Sequence, residues 1–110
     1  VDIRTNEFYD NEEVYEFICQ HLKSEVKAHS FRLKSSRIDP AHPLIRKCVA
    51  MGMKPFGSPT LSDQALMHFP SFKLGPGESS RSHSADEFIK ISEIADAIAK
   101  YKELLDGAAI

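Results

Sequence analysis

Residues 75–89 read GPGESSRSHSADEFI, which sets two glycines, four serines and a histidine ahead of an acidic pair and an apolar step. Two chemistries could use such a run. Glycines at a helix N-terminus can hold a phosphate. Here, however, the spacing matches neither the dinucleotide fingerprint nor the Walker loop. Pro76 removes a donor, and Glu78 places negative charge where the phosphate would sit. Phosphate binding is rejected, and an ordinary tight turn stays open. The second chemistry is metal ligation by His83, with Asp86 and Glu87 close enough to orient an imidazole through its other nitrogen. The same acids are equally natural at a helix start. His21, His29, His42 and His68 are scattered, so no zinc site closes from local spacing.

Arg4 is the third chemical candidate. An arginine on the polar face of a strand can hold a carboxylate bidentately, or simply pair with an acid across a sheet. Ser58, Thr60, Ser62 and Asp63 form a polar cluster without a serine–histidine–acid order, which argues against serine catalysis.

The elements that must position these residues follow from periodicity. VDIRTN alternates apolar and polar residues, so 1–6 is expected as a half-buried strand. The chain thus opens inside a strand, which suggests a removed leader or the C-terminal piece of something longer. Residues 9–26 are expected as a helix capped by Asp10 or Asn11, with Val14, Phe17, Ile18, Leu22 and Val26 as one buried stripe. AHSFRLK at 28–34 reads as a second strand, which makes 1–35 a compact β-α-β unit. SSRIDPAHP marks a boundary. A helix then starts at Pro43 and runs toward Gly52, with Leu44, Ile45, Cys48, Val49 and Met51 as its apolar face. A short helix is expected within LSDQALM and a short strand in SFKL. The last helix carries Ile94, Ile98, Tyr101 and Leu105, with Ser92 as its cap and Gly107 as its stop.

Composition narrows the partners. A chain of 110 residues is one domain's worth, and its net charge of −2 gives no field to recruit nucleic acid or an anionic membrane. No apolar run approaches the roughly 18 residues of a membrane span. Cys19 and Cys48 lie in apolar helical patterns and read as buried free thiols, which suits a reducing cytoplasm.

Taken together, KPFGSPTLSDQALMHFPSFKLGPGESSRSHSADEFIKISEI resembles the C-terminal region of acetylornithine deacetylases. These belong with succinyl-diaminopimelate desuccinylases, aminoacylases and glutamate-releasing carboxypeptidases among the co-catalytic zinc hydrolases. VDIRTNEFYDNEEVYEFI resembles the strand and helix of that family's lid domain. The most specific parts are GSPTLSDQ and GPGESSRSHSADEFI. The resemblance implies an α/β fold: the last β-α-β of a ferredoxin-like α+β lid over 1–35, then the C-terminal part of a zinc-peptidase-like α/β catalytic domain over 36–110.

It also implies roles, residue by residue. His83 matches the family's last metal ligand, in a segment where Ser84 replaces a threonine. Arg4 matches the lid arginine that clamps the substrate's α-carboxylate. Thr60, Leu61, Gly75 and Gly77 correspond to loops lining the substrate pocket, with Asp86 and Glu87 supporting the ligand, and Asp63 fixing its own loop. The remaining zinc ligands, the glutamate general base and the lid histidine would lie upstream, in another part of the same protein. The implied cofactor is zinc, with cobalt as a substitute. The implied reaction is removal of the acyl group from an N-acyl amino acid, N-acetylornithine foremost and an N-succinyl amino acid as the alternative. This chain by itself is expected to be inactive. A homodimer through the 10–26 helix is a possible assembly in such a lid, and a non-catalytic binding or dimerisation module is the competing reading.

Overall fold

The computed structural model describes residues 1–108. Its regular elements are α1 (Asn11–His21), α2 (Pro43–Ala50) and α3 (Ile91–Leu105), with short 3₁₀ turns at Asp63–Leu66 and Ser79–Arg81. Among the described residues helix accounts for 38% and strand for 0%, so the α/β expectation is wrong for this chain. The β-α-β unit over 1–35 and the strand at SFKL are absent with it.

The physical reason is visible in the backbone. Alternation makes a segment suitable for a sheet, but a strand exists only when a neighbour supplies the ladder. In the 28–34 segment the carbonyls of Phe31 and Leu33 accept instead from the side-chain amide of Asn11, at 3.1 and 2.7 Å. Single backbone bonds stand where a ladder was expected: Lys34 N to Ala65 O at 3.1 Å, and Ser71 N to Arg37 O at 3.2 Å. Residues 1–6 are held by side chains, through Thr5 Oγ1 on Asn11 Oδ1 at 2.8 Å and the Arg4 guanidinium.

The chain divides into two units. The first combines Val1–Asp39 with Phe56–Phe72. Its helix α1 begins as expected at Asp10, whose carboxylate accepts from Glu13 N while the Glu13 carboxylate accepts from Asp10 N. It ends at His21, five residues short of Val26, because Leu22 turns extended and the chain folds back. Tyr15 fastens that return: its hydroxyl donates to Val26 O at 3.2 Å, and its ring meets Phe31 edge-on at 5.4 Å. The expected buried stripe is only half-buried at Val14 and Ile18, and Phe17 and Leu22 are exposed. Phe17 stacks on the His21 imidazole at 4.0 Å. Cys19 is exposed, contrary to expectation. Ala65, in the 3₁₀ turn within LSDQALM, is the unit's buried apolar residue.

The second unit combines Pro40–Pro55 with Lys73–Ile110. Here α2 packs on α3, burying Cys48, Ala97 and Leu104. Pro43 opens α2 where its missing N–H costs nothing, with His42 as N-cap, and Gly52 follows it at φ 83°. Lys47 Nζ donates to Asp106 O at 2.7 Å, a cation on the carbonyl end of α3. Gly107, at φ 65°, terminates α3 as expected. Ser92 lies inside the helix rather than at its cap. Lys90 takes the cap position, and its N–H donates to the Glu93 carboxylate at 2.8 Å.

Candidate functional site

The first unit carries Arg4, Thr60 and Leu61. Residues 56–61 cross to the N-terminal segment, where Arg4 Nη1 donates to Pro59 O at 2.7 Å. The carbonyl it takes is adjacent to Thr60, so the structure brings Arg4 to the loop that holds Thr60 and Leu61. That loop is set locally by Ser58, whose hydroxyl accepts from Thr60 N at 3.2 Å and donates to Thr60 Oγ1 at 3.0 Å. Arg4 Nε lies 3.3 Å from the Asp2 carboxylate, and the side chain remains 55% exposed. With Nη1 on Pro59 and Nε on Asp2, Nη2 is the guanidinium nitrogen left for a carboxylate from solvent.

The second unit carries Gly75, Gly77, His83, Asp86 and Glu87. Gly77 takes φ 84°, and a Cβ there would meet the Ile89 side chain at 3.6 Å, so glycine serves the turn by its backbone freedom. The 3₁₀ turn Ser79–Arg81 follows, and then His83 and Asp86 both stand in left-handed backbone, at φ 59° and 58°. Left-handed non-glycine residues are uncommon and concentrate at functional sites. His83 is exposed. Glu87 Oε2 accepts from the His83 backbone amide at 3.2 Å, so this acid steadies the main chain rather than the imidazole. Asp86 is exposed beside it.

The residues that organise this loop are Arg81 and Glu93. Arg81 Nη1 meets Glu93 Oε2 and its Nη2 meets Glu78 Oε1, each at 2.8 Å, with the guanidinium 4.7 Å above the Phe88 ring. Its side chain is only 15% exposed. The Arg81 hydrogen bond, helped by the Lys90 amide, holds the Glu93 carboxyl down at about 2, and the same contact raises Arg81 above its usual value. The signal available in the sequence was Glu93 three residues after Lys90, the spacing of an acid that reaches back to a helix start.

Zinc demands several converging ligands. Among the described residues no three His, Cys, Asp or Glu side chains gather to hold a metal ion. The donor set at His83 is therefore incomplete, and no hydrolytic step is assigned to it. Among the same residues no helix is long and apolar enough to cross a membrane.

No protein-family model and no curated protein gives a significant match to the chain.

Proposed function

We propose that this chain supplies part of a zinc-dependent amidohydrolase that deacylates an N-acyl amino acid, N-acetylornithine being the favoured substrate. The observation that carries the reading is the exposed His83 in left-handed backbone, inside the GPGESSRSHSADEFI stretch that resembles acetylornithine deacetylases. In this role His83 is one metal donor among several, and Arg4 holds the substrate's α-carboxylate. By the same resemblance Thr60 and Leu61 of the first unit, and Gly75 and Gly77 of the second, are substrate-binding positions, with Asp86 and Glu87 supporting the donor and Glu87 holding the His83 amide. Zinc, or cobalt in its place, would supply Lewis-acid activation of water when bound. The donors seen here do not amount to that centre; in this reading the remaining ligands and the general base would be supplied by another part of the protein.

A second reading, a non-catalytic interaction module, draws on α3. Ile91, Ile94, Ile98 and Leu105 fall on one helical face and are all exposed.

Both readings meet one experiment. The chain is titrated with N-acetyl-L-ornithine and, separately, with zinc chloride, while its amide and side-chain NMR signals are followed. The hydrolase reading expects the amino acid to perturb the Arg4 guanidinium and residues 58–61, and zinc to perturb the His83 ring. Zinc binding that His83→Ala leaves intact, with no response at Arg4, would overturn it in favour of the module.

A further inference from the structure

Five contacts converge on the loop that carries His83. On its side-chain face Arg81 is gripped by Glu78 and Glu93 at 2.8 Å each and lies over Phe88 at 4.7 Å. On its main-chain face the Arg81 carbonyl accepts from Ser84 Oγ at 2.6 Å. His83 sits between Arg81 and Ser84 in the sequence, and its own amide is taken by Glu87. The loop is thus fastened on both sides of His83, and one of its fasteners, Glu93, belongs to α3, which packs on α2. Left-handed backbone at a residue with a Cβ persists only where surrounding contacts over-determine it.

We infer that Arg81 is a positioning residue: its fork to Glu78 and Glu93 over Phe88 holds the 78–88 loop in the form that presents His83 in left-handed backbone. The inference rests on the reading of His83 as a donor only for its functional meaning. Its physical content is a conformational coupling between Arg81 and His83. A lysine at 81 cannot reproduce it, because an ammonium lacks the planar fork that spans two carboxylates and stacks on a ring.

The test uses the full isotopically labelled chain, as wild type, Arg81→Ala and Arg81→Lys. For each, the amide-to-Hα coupling and intraresidue contact of His83 report its backbone, and zinc chloride titration reports its ring. Amides of α2 and of the C-terminal half of α3, in the same unit as His83, serve as the folding control. Both variants are expected to lose the left-handed signature at His83 while α2 and α3 are unchanged. The zinc response of the His83 ring, followed in parallel, tests the donor reading separately from the coupling. A left-handed His83 in Arg81→Ala would overturn the inference. If Arg81→Ala unfolds the second unit, a left-handed His83 in Arg81→Lys overturns it equally. Loss of the signature in the variants, with no zinc response at His83 even in wild type, upholds the coupling and removes the donor reading instead.

Discussion

Arg81 and Lys90 share one acceptor: Oε2 of Glu93 receives Arg81 Nη1 at 2.8 Å and the Lys90 amide at 2.8 Å. Both donors favour the ionised carboxylate, which is why its pKa lies at about 2 rather than the ordinary 4.5. A carboxyl depressed in the folded state stabilises it above the unfolded pKa, and that contribution is lost as pH falls through the folded one. Order in the 78–93 region should therefore hold down to about pH 4.5 and decline between there and about pH 2. The Glu93 side-chain carbon, followed by NMR, should titrate in that lower range. Glu93→Gln should remove the acid-dependent step from that region and loosen the loop at neutral pH.

Asn11 predicts a different kind of loss. Its amide donates to Phe31 O and Leu33 O, and its oxygen accepts from Thr5 Oγ1. No backbone ladder joins these segments, so one side chain does that work. Asn11→Ala strands two carbonyls and a hydroxyl and should cost about 1–3 kcal/mol in urea unfolding of the first unit. Asn11→Asp should be no better, because a carboxylate cannot donate to either carbonyl. A cost below about 0.5 kcal/mol, the low end for one hydrogen bond, would show that the segments hold together by other means.

The start of α1 gives a sharper number. Asp10 and Glu13 bond reciprocally to each other's backbone amides. Asp10→Ala should therefore lower helicity over 11–21 and cost about 1 kcal/mol, with Asp10→Ser recovering most of it. Chemical shifts of the α1 amides would check the loss where it occurs.

Most helix punctuation was legible because it is local, Ser92 excepted, since Lys90 takes the cap position. Asp10, Pro43, Gly52 and Gly107 each act within a turn of their own position, and each does in the structure what its type suggests. Strands were not legible, because Val1, Ile3 and Thr5 can show a period of two without showing what pairs with them. The end of α1 was misread for a related reason: the turn at Leu22 goes with Tyr15 reaching Val26, a contact across eleven residues. At the candidate site, His83, Arg4 and the polar cluster of Ser58 and Thr60 were visible by type, and their assigned roles came from resemblance. Arg81 was not, because the acid that fixes it lies twelve residues on, across two left-handed residues that no composition announces.

Arg4 should report any α-carboxylate that binds the first unit. Its guanidinium already spends one nitrogen on Pro59 O, and the rest of the fork faces Asp2 and solvent. Arg4→Lys keeps the charge but loses two-point recognition, so N-acetyl-L-ornithine affinity should drop about 10-fold or more, the scale of a lost charge-assisted hydrogen bond. Arg4→Ala should abolish the response at residues 58–61. Equal affinity for N-acetylornithine and its decarboxylated analogue would show that Arg4 does not read the carboxylate.

His83 at φ 59° places its Cβ against the following carbonyl, a cost of roughly 1–2 kcal/mol that glycine escapes. Glycine in turn gives up about 0.5–1 kcal/mol through its greater freedom when unfolded. The relief outweighs the entropy, so His83→Gly should stabilise the second unit by about 0.5–1 kcal/mol in urea unfolding. Ser82 is the control. It stands at φ −70°, where glycine relieves nothing, so Ser82→Gly should destabilise by about 0.5–1 kcal/mol. If His83→Gly also abolishes the zinc response, the chain carries a residue that weakens its fold at the position where it would bind metal. Strain of that kind persists where function needs the side chain. Should His83→Gly destabilise as much as Ser82→Gly, the left-handed backbone at 83 is not held in solution, and no conformational cost marks His83 as functional.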